Sequence, residues 1–326
     1  MTLAISSLTS SGIVLTTDSR QTYRNQAGAI RVGSDSATKL FKLADSCGVA
    51  ISGRAFLNET NQPVKDAGFF VRRFAESEEL SRLTVKQIAE KLNKCIGDIF
   101  VSRELEGIKK QIENRVKELG GTELTISPPD GNLLPYSFKD KDGKIISDNG
   151  WVETLTMIVA GIDSDKIGRA YIVSVPKGIT NERDTQQCGA LWVGQTDVLG
   201  RIVKGFAPEI GNLDFVKAAT ANDSAGVSAQ LEKLEYIINW GTITLQDAVD
   251  FCVLMTRTTA SIQRFSDGTR LTPGGIPGVG GEIDIAVITP EKGFVWLKQK
   301  TLKSEDTELS LDSLPSVQQD QSPASG

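Results

Sequence analysis

The N-terminus carries a residue of catalytic interest. Met1 is followed by Thr2, and aminopeptidases remove an initiator methionine before such small residues. The α-amine exposed in this way has a pKa of about 7.7 to 8.0, so part of it is unprotonated near neutral pH. It can then act as general base toward the hydroxyl of the same residue, as in N-terminal threonine nucleophiles. The simpler alternative is an ordinary processed N-terminus.

Any catalysis here uses bases other than histidine, because the sequence contains no histidine. Ser-His-Asp and Cys-His catalytic units are excluded, and so is histidine-ligated zinc. The cysteines, Cys47, Cys95, Cys188 and Cys252, are widely spaced and form no CxxC pair, which favours reduced and mostly buried thiols. We expect no metal and no cofactor.

The first predicted β-hairpin brings a carboxylate toward Thr2. Apolar runs at residues 2–8 and 12–17 are separated by a Thr-Ser-Ser turn. With the turn centred on Ser10, Asp18 at the end of the second strand lies opposite Thr2. Considered alone, Asp18 is equally well an ordinary acid at the end of a turn.

The second predicted hairpin places a cation near a glycine. It joins residues 37–43 to 48–53 around an Asp-Ser turn, so that Lys39 faces the Ser52-Gly53 end. Lys39 interrupts an apolar strand and would need a partner if it were buried. The alternative is an exposed strand lysine.

The rest of the chain predicts an α+β fold in a single domain, residues 1–302. A capping box at Thr84 opens a long helix that runs past Phe100 toward Leu119. Residues 104–150, rich in Lys, Glu, Gly, Pro and Asp with a short strand at 123–127, are interpreted as an insertion, and the polar residues 303–326 as a disordered tail. Further strands are predicted at 155–160, 170–175, 190–193, 283–288 and 294–299, and further helices at 64–75, 197–206, 224–239 and 245–264.

Charge and hydropathy exclude several classes of function. A net charge of -5 and a pI near 5.1 argue against a protein that binds nucleic acid through a basic surface. The N-terminus lacks the positive region of a secretory signal, and no run approaches the roughly 18 apolar residues of a membrane span. We therefore expect a soluble cytoplasmic protein with no nucleic-acid or membrane partner.

Several dispersed segments together resemble proteasome β-type subunits and their bacterial relatives. The resemblance covers most of residues 2–300 apart from the insertion, in matching order and spacing. The segments are TLAI at 2–5, GIVLTTDSR at 12–20, KLFKL at 39–43, VAISG at 49–53, TMIVAGID at 156–163, YIVSVPKG at 171–178, VGQT at 193–196 and VGGEIDIAVI at 279–288.

The resemblance implies an N-terminal-nucleophile (Ntn) hydrolase with a four-layer αββα sandwich. Thr2 would be the nucleophile and, through its amine, the base. Lys39 would lower the pKa of that site by its charge, Asp18 would hold Lys39, and the Gly53 amide would stabilise the oxyanion. Arg20 would brace the Asp18 turn. The pocket beside the nucleophile would be mostly apolar, which suggests an uncharged substrate side chain. Its lining would be Gln21, Ala37, Phe41, Ile51 and Ala55.

The chain departs from the family where hydroxyl and acidic side chains usually support the threonine amine. The aligned positions are Val193, Ile276 and Val279. Either nearby groups substitute, or the amine is tuned less well and turnover is slow. The candidate substitutes are Thr196, Asp197 and Asp284.

The first interpretation is therefore a threonine-type peptidase or amidase that acts on peptides or unfolded proteins. The resemblance implies a homo-oligomer, a ring or spiral, and makes an ATP-dependent unfoldase a candidate partner. An amine could also resolve the acyl-enzyme, so a peptide ligase stays within the same chemistry. The alternative of a different class is a non-catalytic proteasome-like scaffold or partner-binding subunit.

Overall fold

A computed structural model describes residues 2–24, 30–57, 64–130, 133–271, 273–275, 277–303 and 308–310. The predictions made for Met1, for Ile276 and for tail residues 304–307 and 311–326 lie outside the described residues. Within them the fold is α+β, as predicted from the sequence.

The described residues form nineteen strands and seven α-helices. The strands are β1 (Leu3–Thr9), β2 (Gly12–Thr17), β3 (Gln21–Arg24), β4 (Ile30–Ser34), β5 (Leu40–Ala44), β6 (Cys47–Gly53), β7 (Phe56–Leu57), β8 (Lys65–Asp66), β9 (Thr122–Ile126), β10 (Leu133–Lys139), β11 (Ile145–Trp151), β12 (Leu155–Ile162), β13 (Gly168–Val175), β14 (Gly178–Asp184), β15 (Gly189–Gly194), β16 (Asp284–Thr289), β17 (Gly293–Lys298), β18 (Thr301–Lys303) and β19 (Glu308–Ser310). The helices are α1 (Ala67–Ser77), α2 (Val85–Ile99), α3 (Glu106–Glu118), α4 (Asp197–Val203), α5 (Asp214–Asn222), α6 (Ser224–Glu232) and α7 (Leu245–Phe265).

Two antiparallel five-stranded sheets organise the chain. The first has the strand order β15-β1-β2-β16-β17 and the second the order β14-β13-β12-β6-β5. The two predicted hairpins, β1–β2 and β5–β6, therefore belong to different sheets. Strands β9, β10 and β11 form a separate three-stranded sheet, and β18 pairs with β19, which lies inside the segment predicted to be a tail.

The two large sheets share one apolar core. Leu8 and Ile13 of the first sheet belong to the same buried cluster as Ala50 and Ile158 of the second. Because side chains alternate across a strand, Val14 points to the opposite face from Ile13 and joins another cluster. Both faces of the first hairpin are thus covered, which is why every residue of β1 and β2 is buried.

Helices cover the faces that the sheets turn away from each other. Val14 of β2 packs in a cluster with Leu199 of α4 and Cys252 of α7. On the second sheet, Met157 of β12 packs in a cluster with Phe70 of α1 and Leu92 of α2. Burying such a side chain stabilises the fold by about 1.5 to 3 kcal/mol.

Two capping boxes begin helices where the sequence predicts them. Thr84 caps α2 and exchanges hydrogen bonds with Gln87, and Thr244 caps α7 with Asp247 in the same way. The long helix predicted after Thr84 is present, and a π-helical segment at Phe100–Leu105 joins α2 to α3.

Other elements end elsewhere than predicted or were not predicted. The helix predicted over 224–239 ends at Glu232, and the strand predicted over 37–43 begins only at Leu40. Strands β3, β4, β10, β11 and β14 and helix α5 had no counterpart among the predictions. Strand β14 is polar and none of its residues is fully buried, so it has no alternation of apolar residues that would predict a strand.

The apolar residues of the segment interpreted as an insertion join the core that the second sheet forms with α1 and α2. Ile112 and Val116 of α3 belong to the same buried cluster as Leu134, Tyr136 and Phe138 of β10. The strand predicted at 123–127 is present as β9. Most charged residues of α3 are at least partly exposed while its apolar stripe is buried, as its amphipathic pattern indicates.

Candidate active site

Thr2 lies at the start of β1, where the two large sheets approach each other. It is buried, with 3% of its surface exposed. Its carbonyl oxygen accepts a hydrogen bond of 2.7 Å from the backbone N–H of Gln195. The Ser52 hydroxyl lies 3.5 Å from the same oxygen, which links Thr2 to strand β6 of the second sheet. The backbone of Thr2 is therefore held from both sheets.

Asp18 follows β2 and accepts hydrogen bonds from four donors. The backbone N–H groups of Leu3, Arg20 and Gly280 donate to its carboxylate at 3.1, 3.0 and 2.9 Å. The Lys39 ammonium donates at 3.2 Å. Burial raises the pKa of Asp18, and the Lys39 charge and the amide donors oppose that rise.

Lys39 precedes β5 and is buried beside Thr2. Its side chain is 7% exposed, and its ammonium also donates to the carbonyl oxygen of Arg20. Burial lowers the pKa of Lys39, while the neighbouring Asp18 carboxylate opposes that decrease. Of the two alternatives that the sequence left for Lys39, the structure selects the buried, paired lysine.

Both hairpins differ by one residue from the predicted register. The first turns between Ser10 and Ser11, so Asp18 lies beside Leu3 instead of opposite Thr2. In the second, a bulge between Lys42 and Ala44 shifts the pairing, and Lys39 binds the backbone of Ile51. A one-residue change alters which backbone groups pair. The side chains of Asp18 and Lys39 nevertheless meet, because both point into the space between the sheets.

Gly53 ends β6 in a conformation that requires glycine. Its φ is +93°, and a Cβ atom there would overlap the carbonyl oxygen of Thr154. The backbone N–H of Arg54 donates to that same oxygen at 3.0 Å. The turn thus brings the Gly53 backbone to the cleft that Thr2 lines.

Thr2, Lys39 and Gly53 line one cleft of about 290 Å³. Four of the five residues predicted for the pocket are on its wall, namely Gln21, Ala37, Ile51 and Ala55. The cleft is less apolar than predicted, because charged side chains line it in addition to Lys39. These are Arg54, Asp66 and Arg72.

Phe41, the fifth residue predicted for the pocket, is not among the residues that line the cleft. Phe41 is 5% exposed, and its ring packs where a Cβ atom on Gly68 would come within 2.5 Å of it. The Arg72 guanidinium lies 5.4 Å from the centre of the ring. Side chains alternate between the two faces of β5, so Phe41 points into the core under α1 and packs beneath the wall of the cleft.

Arg20 links the Asp18 turn to the segment after β4. Its Nε and Nη2 atoms donate to the Asp35 carboxylate at 2.6 and 2.9 Å. This bidentate pair raises the pKa of Arg20 and lowers that of Asp35. The backbone of Arg20 meanwhile contacts both Asp18 and Lys39, so one residue joins three charged groups.

Two of the positions that the sequence resemblance aligned with supporting polar side chains are Val193 and Val279, and both are apolar. Val193 and Val279 are buried in the cores on the two faces of the first sheet. None of the three candidate substitutes lines the Thr2 cleft in the described part of the chain. Thr196 and Asp197 line a neighbouring cavity, and Asp284 is buried in an ion pair with Lys300.

Asp284 and Lys300 form a second buried ion pair. It lies at the same end of the strands of the first sheet as Asp18. Asp284 pairs with Thr17 across the strands, one residue before Asp18. The Lys300 backbone N–H donates to Asp284 at 2.8 Å, and its ammonium contacts the same carboxylate. Burial, with a contribution from the Lys39 ammonium, lowers the pKa of Lys300 to about 8.

Ser52 was not among the predicted site residues, yet it lines the cleft beside Thr2. A Cβ atom on Gly194 would come within 2.5 Å of its hydroxyl, which shows how closely β15 packs there. The predicted position of Lys39 opposite the Ser52-Gly53 end of its hairpin already indicated that Ser52 lies near the candidate site. The contributions of Gln195 and Gly280 had no local signal, because they arrive from distant parts of the chain.

No group of three or more metal-ligating side chains is found among the described residues. Burial raises the pKa of the Cys47 thiol and that of Cys252, the latter to about 12. No helix in the described part of the chain is long and apolar enough to span a membrane.

Comparison with known proteins found no protein-family model that matches the chain and no curated protein that matches it. The cleft at Thr2 must therefore carry any inference about function.

Proposed function

We propose that the protein is a threonine-type peptidase or amidase with Thr2 as its nucleophile. The observation that carries the proposal is the convergence of three groups on one cleft. Thr2, Lys39 and Gly53 all line it, and Asp18 holds the Lys39 ammonium from the buried side. Such a buried ion pair at a cleft is expected where a protein must tune the protonation of a neighbouring group.

In the proposed reaction the Thr2 hydroxyl attacks the carbonyl carbon of an amide. The free amine of Thr2 takes the hydroxyl proton and later gives it to the leaving amine. The backbone N–H of Gly53 donates to the oxyanion, and the resulting ester is hydrolysed by water. Lys39 favours the unprotonated amine through its positive charge, and Asp18 is a positioning residue that holds Lys39.

The arrangement of sheets and helices supports the same assignment. We propose that the two sheets and their covering helices form the four-layer αββα sandwich of an Ntn hydrolase of the proteasome β type. In that fold the N-terminal residue stands at a sheet edge between the layers. The position of Thr2 supports this proposal, because Thr2 directly precedes β1 of the first sheet and its carbonyl oxygen contacts Ser52 of β6 in the other sheet.

The proposed substrate is a peptide or unfolded protein. The side chain before its cleaved bond is uncharged or combines apolar and polar parts. Ala37, Ile51 and Ala55 supply apolar wall, while Arg54 and Arg72 supply cations. We further propose a cytoplasmic homo-oligomer, a ring or spiral, in which an ATP-dependent unfoldase could deliver substrate. An amine in place of water would make the same acyl-enzyme a ligase.

One observation favours a second candidate, a non-catalytic scaffold of the same fold. Val193 and Val279 are buried apolar side chains where the family carries supporting polar groups. A chain that kept the fold without selection for turnover could retain Thr2, Asp18 and Lys39 while losing such groups. The two candidates differ in whether Thr2 reacts.

The experiment is covalent labelling of Thr2 with a β-lactone or an epoxyketone, followed by intact-mass and peptide mass spectrometry. Proteolytic processing must end directly before Thr2, and the labelled peptide must begin with that residue. We expect one inhibitor mass per chain in the wild type and none in Thr2→Ala. Thr2→Ser keeps both amine and hydroxyl and should still be labelled.

Thr122→Ala serves as the control, because Thr122 is an exposed threonine on β9, which does not contribute to the cleft. Equal labelling of Thr2→Ala and wild type would refute Thr2 as the nucleophile. A mature protein that retains Met1 and reacts with neither inhibitor would favour the scaffold.

A further inference from the structure

A second cavity adjoins the Thr2 cleft. It encloses about 560 Å³, against about 290 Å³ for the cleft itself. Both are lined by Arg54, Ala55 and Phe56, so the segment that follows β6 is a wall common to the two. A peptide whose reactive bond lies at Thr2 can follow this segment from one cavity into the other.

The walls of the second cavity carry exposed aromatic side chains from three parts of the chain. Tyr23 of β3, Phe56 of β7 and Trp151 of β11 are 45%, 42% and 61% exposed. Ile30 and Ile108 add aliphatic surface between them. Aromatic and aliphatic side chains around a concave site of this size are typical of a pocket that binds an apolar group.

The π-helical segment Phe100–Leu105 shapes one wall. Its wider turn brings residues five apart onto the same face, so Phe100 and Leu105 are both buried in the core. Arg103 and Glu104, between them, line the cavity. Insertions of this kind within α-helices are frequently found at functional sites.

The charged residues that line the cavity largely compensate one another. Arg54 and Glu104 form an ion pair at the boundary with the cleft, and their side chains are only 25% and 16% exposed. The Nε atom of Arg103 is buried and has no hydrogen-bond partner among the described residues.

We infer that this cavity is a second subsite, which binds an aromatic side chain of the peptide held at Thr2, some residues away from the cleaved bond. The aromatic wall accounts for the preferred side chain. The inference rests on the proposed function for the identity of the ligand. The walls of the cavity come from the β3–β4 hairpin, β7, the π-helical segment with α3, and β11. All of them belong to one chain, so the subsite is formed within a single chain.

The test is cleavage of acetylated tetrapeptide coumarylamides in which one Phe replaces Ala at successive positions. At one position not adjacent to the cleaved bond, we expect Phe to raise kcat/KM by about tenfold over the all-Ala peptide, because burial of its ring strengthens binding. In Trp151→Ala this Phe/Ala ratio should fall to near one. Ile108→Ala, on the same cavity wall, is the second variant and should lower the ratio too.

Tyr236→Ala is the matched control. Tyr236 is also an exposed aromatic residue, at 71%, and lines neither cavity. Its removal should leave the Phe/Ala ratio unchanged. A ratio near one at every such position in the wild type, or a ratio that survives in both Trp151→Ala and Ile108→Ala, overturns the subsite.

A binding measurement separates the subsite from the peptidase proposal. Fluorescence anisotropy of the labelled Phe and Ala peptides is measured on Thr2→Ala, alone and combined with Trp151→Ala. If the wild type cleaves nothing, yet Thr2→Ala prefers the Phe peptide by about tenfold and the double variant does not, the peptidase proposal fails and the subsite stands. Equal affinity for both peptides overturns the subsite whatever the activity.

Discussion

The buried ion pair between Asp18 and Lys39 makes an asymmetric prediction. Asp18 is 1% exposed, and the side chain of Lys39 is 7% exposed, at 3.2 Å from it. Removing either partner leaves the other buried, but the two losses are not equivalent. We expect Asp18→Asn to destabilise the folded protein more than Lys39→Met, because Asp18 has three further donors and Lys39 has a single further acceptor, the carbonyl of Arg20.

Asparagine at position 18 replaces one acceptor oxygen by an NH2 group. If the amide oxygen accepts from Arg20 and Gly280, the NH2 group faces the N–H of Leu3 and the ammonium of Lys39. Donors then face donors around an unpaired buried cation. Losing one partner of a buried pair in this way costs about 3 to 5 kcal/mol.

Lys39→Met instead leaves the Asp18 carboxylate with its amide donors at 2.9 to 3.1 Å. These hydrogen bonds still compensate the charge, so the expected cost is about 1 to 3 kcal/mol at pH 7. Methionine also fills most of the volume of the lysine stem, which limits any cavity.

The cost of Lys39→Met should depend on pH. Burial already raises the pKa of Asp18 above 3.8, and removal of the opposing ammonium raises it further. Between the unfolded-state pKa of 3.8 and the raised pKa of Asp18 in the folded variant, the folded state binds more protons than the unfolded state. The free energy of unfolding therefore falls as pH rises through this range. The variant should therefore be closer to wild type at pH 5 than at pH 8.

Urea unfolding followed by circular dichroism at pH 5 and pH 8 measures these differences. Lys42→Met is the control, because the Lys42–Asp45 pair is similarly close at 2.7 Å but exposed, so that solvent screens it and its loss should change stability little. If Lys39→Met costs no more than Lys42→Met, or more than Asp18→Asn, the reasoning about the buried pair is refuted. The outcome does not depend on whether Thr2 is a nucleophile.

Two further predictions concern a glycine and an exposed ion pair. Gly194→Ala should destabilise by at least about 3 kcal/mol in urea unfolding, because φ is +94° and a Cβ atom would overlap the carbonyl oxygen of Thr2. Gly107→Ala, in a helix with nothing within 4 Å, should stabilise slightly, and equal effects would contradict this. Hydrogen bonds from Arg169 hold the pKa of Asp165 at about 2, so the unfolded state binds more protons between 3.8 and 2 and stability falls as pH falls. Arg169→Gln should flatten that decrease between pH 4 and pH 3, and an unchanged slope would contradict the assignment.

Local pattern was sufficient for the elements that carry the candidate site. Alternating apolar runs around polar turns predicted β1 with β2 and β5 with β6, and the capping box at Thr84 predicted the start of α2. These signals are local because a turn, a cap or a strand end is specified by residues a few positions apart. The presence of Asp18 and Lys39 near Thr2 followed from them.

Register and lining were harder to predict, because both depend on one-residue details. The bulge between Lys42 and Ala44 moved the partner of Lys39 to Ile51, and alternation along β5 turned Phe41 into the core. A bulge inserts one residue without an evident change in composition. The polar strand β14 escaped prediction for a similar reason, since its neighbours rather than its own residues place it in the sheet.

The sequence by itself determined which chemical groups are available near the N-terminus and which local structures present them: a threonine, a carboxylate, an ammonium and a glycine turn, with no imidazole. Only the tertiary structure decided how strongly these groups act on each other. Gly280, more than two hundred and fifty residues from Asp18 in the chain, donates one of its hydrogen bonds, and two sheets with their helices exclude water from the Asp18–Lys39 pair. The physical reason is that burial and the resulting pKa shifts depend on every segment that packs around a group, whereas hairpins and helix caps depend on near neighbours alone.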